Sequence, residues 1–267
     1  MRHILVTGAS RGLGLSIVQH LLAKGNVVIG CARSKGELKH ENYHHFEADV
    51  ANEEQVQELF IKIRKTFKYI DVLINNAGVA RMNAFALTPF KNMRETIDVN
   101  YAGTFMCSQK AISLLRKSAN PRIINMSTVA VPMNLQGEAA YAASKSAVES
   151  LTRIIAKELS SFNITCNAIG PSPIATDLIR GVSEDKIARL TVQFLLDKMS
   201  ELSTQEAVAV GSNIITYGEL LEKYHDWLNW IDSESIKSGE VVSIKSDYSA
   251  DSISLFLALT QNRAAVE

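Results

Sequence analysis

Cysteine is scarce in this chain: Cys31, Cys107 and Cys166 are odd in number, widely spaced and never in a C-x-x-C pair. That argues against a disulfide framework or a zinc site and for buried, reduced thiols in a cytoplasmic protein. Histidine numbers only six. The neighbours His44-His45 share ligand spacing with no carboxylate or cysteine, so no metal is expected. Neither sign of charge is in excess: 28 Lys+Arg meet 28 Asp+Glu. Zero net charge supplies no electrostatic case for nucleic acid or an acidic membrane surface. No apolar run approaches the roughly 20 residues that span a bilayer, and no basic leader with an apolar stretch opens the chain. The two tryptophans, Trp227 and Trp230, lie three apart in a helical run and read as packing residues.

What is present suits a folded α/β protein. The chain has 267 residues and is 46% apolar, enough for one large domain or a domain plus a smaller module. Short apolar runs alternate with helical patterns. Strands are expected over 3–7, 27–32, 43–49, 71–77, 121–128 and 164–170. Helices are expected over 13–24, from an Asn52 cap to about 65, over 93–117 and over 139–161. Strands alternating with helices argue for a doubly wound parallel sheet, whose ligand site lies at the carboxyl ends of the strands.

Two patterns carry chemistry. Directly after the first strand comes Thr7-Gly8-Ala9-Ser10-Arg11-Gly12-Leu13-Gly14. Glycines there let the backbone turn tightly and approach a pyrophosphate, while the new helix's amides face the anion. Further on, Tyr141 and Lys145 stand four apart, on one face of a helix. A free phenol, with pKa about 10, is a poor proton donor at neutral pH, and an adjacent cation favours the phenolate.

The Gly-x-x-x-Gly-x-Gly spacing of Gly8, Gly12 and Gly14 resembles the glycine motif of the short-chain dehydrogenase/reductase family. Asn75-Asn76-Ala77-Gly78, the pair Asp49-Val50, Asn100 and Tyr141-x-x-x-Lys145 are similar to further motifs of that family, in its order. The resemblance implies a Rossmann-like fold and hydride transfer between a nicotinamide and a carbonyl or alcohol. Tyr141 would act as acid or base, and Lys145 would depress its pKa and hold the nicotinamide ribose. Asn100 would hold a water that relays protons to Lys145. The cofactor would lie along Gly8, Ser10, Arg11, Gly12, Leu13, Gly14, Asp49, Val50, Asn76, Ala77, Gly78, Tyr141, Lys145, Ile174 and Thr176. The end of the second strand reads Cys31-Ala32-Arg33-Ser34 with no carboxylate, so Arg33 and Arg11 are expected to pair with a 2′-phosphate and select NADP(H). The implied partners are a small carbonyl or alcohol substrate and copies of the same chain, as tetramer or dimer.

The chain departs from the family in three places. The family's serine, thirteen residues before the tyrosine, is Thr128 here. We expect Thr128 to bond the substrate oxygen, with Ser127 as the fallback, because adjacent strand residues point to opposite faces. Pro171-Ser172-Pro173 replaces the usual Pro-Gly-Pro. Beyond about Arg189 the likeness ends. Residues 193–267 carry a hairpin-then-helix pattern and resemble the opening segment of an AMP-binding, acyl-adenylating enzyme, on Ile215–Lys223, Ser238–Ile244 and Ser252–Ala265. The expected organisation is therefore a reductase domain over 1–192, lacking its last strand, and a C-terminal α+β segment over 193–267. In the alternative organisation, Val241–Ile244 supply the missing strand of a diverged family C-terminus. The expected activity is that of an NADP(H)-dependent oxidoreductase of the 3-oxoacyl-carrier-protein reductase kind. The alternative is a composite chain that binds dinucleotide without turnover.

Overall fold

Short, apolar, uninterrupted strands are the scaffold of the N-terminal part. In the computed structural model, which describes residues 1–171, 195–210, 213–237, 241–242, 249–262 and 265–266, the chain divides into two units, Met1–Arg180 and Gly181–Glu267. The expected boundary at 192/193 lies outside the described residues.

The first unit is one six-stranded parallel sheet. Its strands are β1 (His3–Thr7), β2 (Val27–Ala32), β3 (Tyr43–Glu47), β4 (Val72–Asn75), β5 (Arg122–Met126) and β6 (Thr165–Ile169), in the order β3-β2-β1-β4-β5-β6. Side chains alternate across it. Ile4, Val6, Val28, Val72 and Ile74 pack on α1 (Gly12–Ala23) through Val18 and Leu22. Leu5, Ile29, Leu73 and Ile123 face the other way, toward Val56, Leu59, Phe60 and Ile63 of α2 (Glu53–Thr66) and Leu114 and Leu115 of α4 (Gly103–Leu115). Helices therefore cover both faces, which is why the strands read as continuous apolar runs. This is the doubly wound, Rossmann-like arrangement. The order reverses between β1 and β4, so the loops after those two strands open a crevice at the carboxyl edge.

Asn52 caps α2 as expected, its Oδ1 accepting the Gln55 N–H at 2.9 Å. The helix expected over 93–117 is instead three pieces: α3 (Phe90–Ile97), one π-helical turn (Asp98–Ala102) and α4. Gly103 sits at the junction because the Val50 side chain presses on it; a Cβ there would lie 2.8 Å from Val50 Cγ2. A short helix α5 (Ala130–Met133) and the long α6 (Ala139–Glu158) lead from β5 to β6. β6 is the outermost strand of the sheet among the described residues, and Thr165, Asn167, Ala168 and Ile169 are exposed.

In the second unit, residues 195–201 are helical (α7). β7 (Glu206–Val210) and β8 (Asn213–Thr216) then pair antiparallel and lead into α8 (Tyr217–Ser233). That is the hairpin-then-helix order expected. Thr216 and Glu219 form a reciprocal capping box at the start of α8. α8 and α9 (Ala250–Asn262) share a core of Leu220, Tyr224, Ile231, Leu257, Ala258 and Leu259, against which Trp227 packs. β9 (Val241–Val242) pairs with β10 (Ala265–Val266) in a two-stranded parallel sheet. Among the described residues no helix is long and apolar enough to cross a membrane.

Candidate active site

β1 ends at Thr7 and the backbone turns into the left-handed region at Gly8 (φ +68°) and Gly12 (φ +54°). No side chain fits at Gly8 or Gly14. A Cβ on Gly14 would lie 2.0 Å from the Gly8 carbonyl oxygen, and one on Gly8 would lie 2.8 Å from Ala77 Cα. The loop after β4 braces it. Thr7 Oγ1 accepts the N–H groups of Asn76 and Ala77, each at 3.0 Å. Asn76 Nδ2 donates to the Thr7 and Gly8 carbonyls at 3.0 and 3.2 Å. Asn76, expected at the cofactor, thus uses its side chain to shape the cradle. Thr7, which sequence reading did not single out, is the other half of that brace. Helix α1 starts at Gly12 with no side-chain cap at Arg11, leaving first-turn amides to face an anion. These features fit a dinucleotide's pyrophosphate.

A cavity of about 440 Å³ lies at the carboxyl ends of β2 and β3, bordered by Arg33, Asp49, Val99 and, from α3, Phe90, Lys91 and Arg94. Arg33 is exposed at its rim, and no carboxylate occupies the end of β2. Asp49 Oδ1 accepts the Ala51 N–H at 2.9 Å, and Val50 is buried beside Gly103. Ser10 and Leu13 are half-buried in the turn, and Arg11 is exposed. Ile174, Thr176, Ser172 and Pro173 lie outside the described residues.

Between the ends of β4 and β5, four of the expected side chains converge. Tyr141 is only 9% exposed and is hydrogen-bonded to Thr128. Thr128 Oγ1 also accepts the Ala130 N–H at 3.2 Å. Lys145, one turn along α6, is buried and donates from Nζ to the Met126 carbonyl at 2.8 Å. Gly78 lies beside it: a Cβ there would be 3.5 Å from Lys145 Nζ and 3.3 Å from Asn100 Oδ1. The π-turn carries Asn100, whose side chain is fully committed. Oδ1 accepts the Val79 N–H at 2.8 Å, while Nδ2 donates to the Val79 carbonyl at 3.0 Å and Ser144 Oγ at 2.9 Å. The Asn100 main-chain carbonyl accepts the Thr104 hydroxyl at 2.7 Å.

Ser127 Oγ donates to Glu149 Oε1 at 2.5 Å, while Thr128 faces Tyr141. Burial raises the Tyr141 pKa, the Thr128 hydrogen bond opposes this in part, and the Glu138 carboxylate adds to the rise. Lys145, itself stripped of water, has its pKa lowered to about 8 by burial. Desolvation is the largest influence on both groups.

The cysteines are buried free thiols, and burial pushes Cys31 up to about 12 and Cys166 up to about 11. His45 bonds the Tyr43 hydroxyl and the Ser34 carbonyl, each at 2.9 Å, and His44 packs edge-on against Phe67.

Residues 2–187 match the family described as short chain dehydrogenase. The chain is 34% identical over 207 residues to a Staphylococcus epidermidis 3-oxoacyl-[acyl-carrier-protein] reductase, covering 74% of this chain and 85% of that protein. It is 32% identical over 195 residues to the Escherichia coli enzyme of the same name, covering 71% and 80%. Among solved structures, the ligand-free aldohexose dehydrogenase of Thermoplasma acidophilum superposes with a TM-score of 0.65 at 32% identity, over 72% of this chain and 77% of that one. These likenesses lend no support to the adenylating-enzyme resemblance of residues 193–267.

Proposed function

This chain belongs to the short-chain dehydrogenase family of oxidoreductases, and on that premise we propose that it reduces a small carbonyl substrate, or oxidises the alcohol, with NADP(H). The observation that carries the reading is the convergence of Tyr141, Thr128, Lys145 and Asn100 beside the Gly8–Gly14 cradle. A bound nicotinamide supplies or accepts the hydride.

Everything else falls to the chain's own groups. Thr128 Oγ1 hydrogen-bonds the substrate oxygen and orients it. Tyr141 donates its phenolic proton to that oxygen as negative charge develops, or removes a proton from the alcohol in reverse. A phenol held above its ordinary pKa stays protonated before the reaction. Lys145, with pKa about 8, is still mostly cationic at pH 7. Its charge stabilises the phenolate that Tyr141 becomes, and its donors hold the cofactor ribose. The Gly8–Gly14 backbone and the α1 amides hold the pyrophosphate, with Ser10 and Leu13 in the same turn. Asp49 and Val50 border the adenine.

The NADP(H) preference rests on charge. Arg33 stands at the cavity rim at the end of β2, Arg11 lies in the cradle, and β2 itself ends without the carboxylate that would favour a ribose hydroxyl, the cavity's Asp49, Glu95 and Asp98 coming from other segments. A 3-oxoacyl thioester is the first substrate to try, given what the Staphylococcus and Escherichia relatives are named for. Sugars come second, after the Thermoplasma neighbour. The test is cofactor oxidation against a panel of ketones, 3-oxoacyl thioesters and aldoses. Turnover with NADPH well above that with NADH is expected. Cofactor binding without turnover on any member would refute the reading, and NADH used as well as NADPH would refute its cofactor half.

A further inference from the structure

Four polar residues of α6 fall on a single helical face: Tyr141, Lys145, Glu149 and Thr152, spaced 4, 4 and 3. Each engages β5 or the residues just past it. Thr152 Oγ1 accepts from Asn125 Nδ2 at 2.8 Å, and Asn125 in turn accepts from Asn75 Nδ2 of β4 at 2.8 Å. Glu149 Oε1 accepts from Ser127 Oγ at 2.5 Å. Lys145 Nζ donates to the Met126 carbonyl, and Tyr141 is bonded to Thr128. The result is a polar seam bolting the helix that carries the acid–base pair to the strand end that carries its partner hydroxyl.

Within this seam, Tyr141, Lys145 and Thr128 have roles at the reacting atoms, and Asn125 and Thr152 lie deeper in the core. The Ser127–Glu149 pair touches neither cofactor nor substrate in the proposed arrangement. Ser127 is 3% exposed, and its single hydroxyl proton goes to a carboxylate. Such a charge-assisted bond is stronger than a neutral one, and it leaves Ser127 no proton for a substrate oxygen. The Glu149 side chain is 28% exposed, with Arg153 Nη1 3.9 Å from its other oxygen. The carboxylate thus keeps contact with solvent, yet reaches a buried hydroxyl. Ser127 is also fixed at its backbone, its N–H donating to the Ile169 carbonyl of β6 at 2.7 Å.

We propose that Glu149 is a positioning residue: through Ser127 it fixes where Thr128 meets the Tyr141 hydroxyl. This rests on the reductase reading above. With the Glu149 bond removed, the buried Ser127 hydroxyl has to find another acceptor, and the turn from Met126 to Ala130 shifts to provide one. A displacement near 1 Å at a reacting group costs up to about 10²-fold in rate.

The experiment is a double-mutant cycle on the full chain, reading kcat with a carbonyl substrate and the Kd of NADPH by fluorescence. Glu149→Leu should lower kcat roughly 10- to 100-fold while the NADPH Kd stays within about twofold, because the cradle residues are untouched. Glu149→Gln, which keeps an acceptor for Ser127, should restore most of the rate. In a Thr128→Ala background, Glu149→Leu should cost nothing further, because the hydroxyl it positions is gone. If Glu149→Leu does not fold, Ser127→Ala removes the same bond from the other side and takes its place in the cycle. A wild-type rate in Glu149→Leu, or losses that multiply in the double variant, overturns the positioning role. A Thr128→Ala variant at full rate overturns the positioning role too, while a wild type without turnover instead overturns the reductase reading, and this role with it.

Discussion

Two opposing demands meet at the Tyr141 phenol, which must be buried to exclude water yet able to part with a proton. Burial has the upper hand in the free structure, raising Tyr141 and lowering Lys145 to about 8. The Lys145 shift has a stability consequence of definite sign. Below about pH 8 both folded and unfolded chains carry that proton. Between about 8 and the ordinary 10.5 only the unfolded chain does, so this group makes unfolding free energy rise with pH, by about 1.4 kcal/mol per unit. The raised thiols Cys31 and Cys166 pull the other way above the ordinary thiol value of 9.0, so the comparison must be with a variant. Denaturant melts at pH 8 and pH 10 should show wild type gaining stability relative to Lys145→Met across that interval; a constant difference would contradict the burial account. Thr128→Ala should lower kcat more than Ser127→Ala, and the opposite ranking would return the donor role to Ser127. The sequence gives these candidates through the 13-residue spacing to Tyr141, but not the choice between them. That choice depends on Glu149, eight residues past Tyr141, and no local pattern links it to Ser127.

Elements were legible wherever one physical cause sets them. Apolar runs buried on both faces marked β1, β2 and β4, and the Asn52 side chain marked the start of α2. The helical stretch over 93–117 was legible but not the π-turn within it, because periodicity continues smoothly through it. Val50 packs against Gly103 just after the π-turn, which places Asn100 toward Val79 and Ser144. Glycine spacing likewise signalled the cradle, but not that Thr7 and Asn76 brace it. That bracing leaves no slack for a side chain. Gly14→Ala puts a methyl 2.0 Å from the Gly8 carbonyl, so the loop must move. NADPH affinity should fall at least about tenfold, equivalent to about 1.4 kcal/mol, in a fluorescence titration, whereas Gly25→Ala, in open space though at φ +74°, should leave it unchanged.

At the scale of the whole chain, every proposed site residue within the described structure belongs to the first unit, and the second has a core of its own around Tyr224, Ile231 and Leu259. Its hairpin and helices were legible from turn and capping residues, whereas its purpose was not, because its recognisable positions are scaffold positions. Phe105 of α4 and Ile154 of α6 leave apolar surface exposed, 42% and 52% respectively, and we expect a dimer or tetramer by light scattering; a monomer at micromolar concentration would count against that. Saturating NADPH should raise the melting temperature, since a ligand at about 100 times its Kd adds about 2.7 kcal/mol to the state that binds it. The most direct measurement is turnover by Tyr141→Phe, which removes one oxygen from the seam of α6. The account predicts a loss of about 10²- to 10⁴-fold in kcat with NADPH affinity retained. A Tyr141→Phe variant that turns over at the wild-type rate would contradict it.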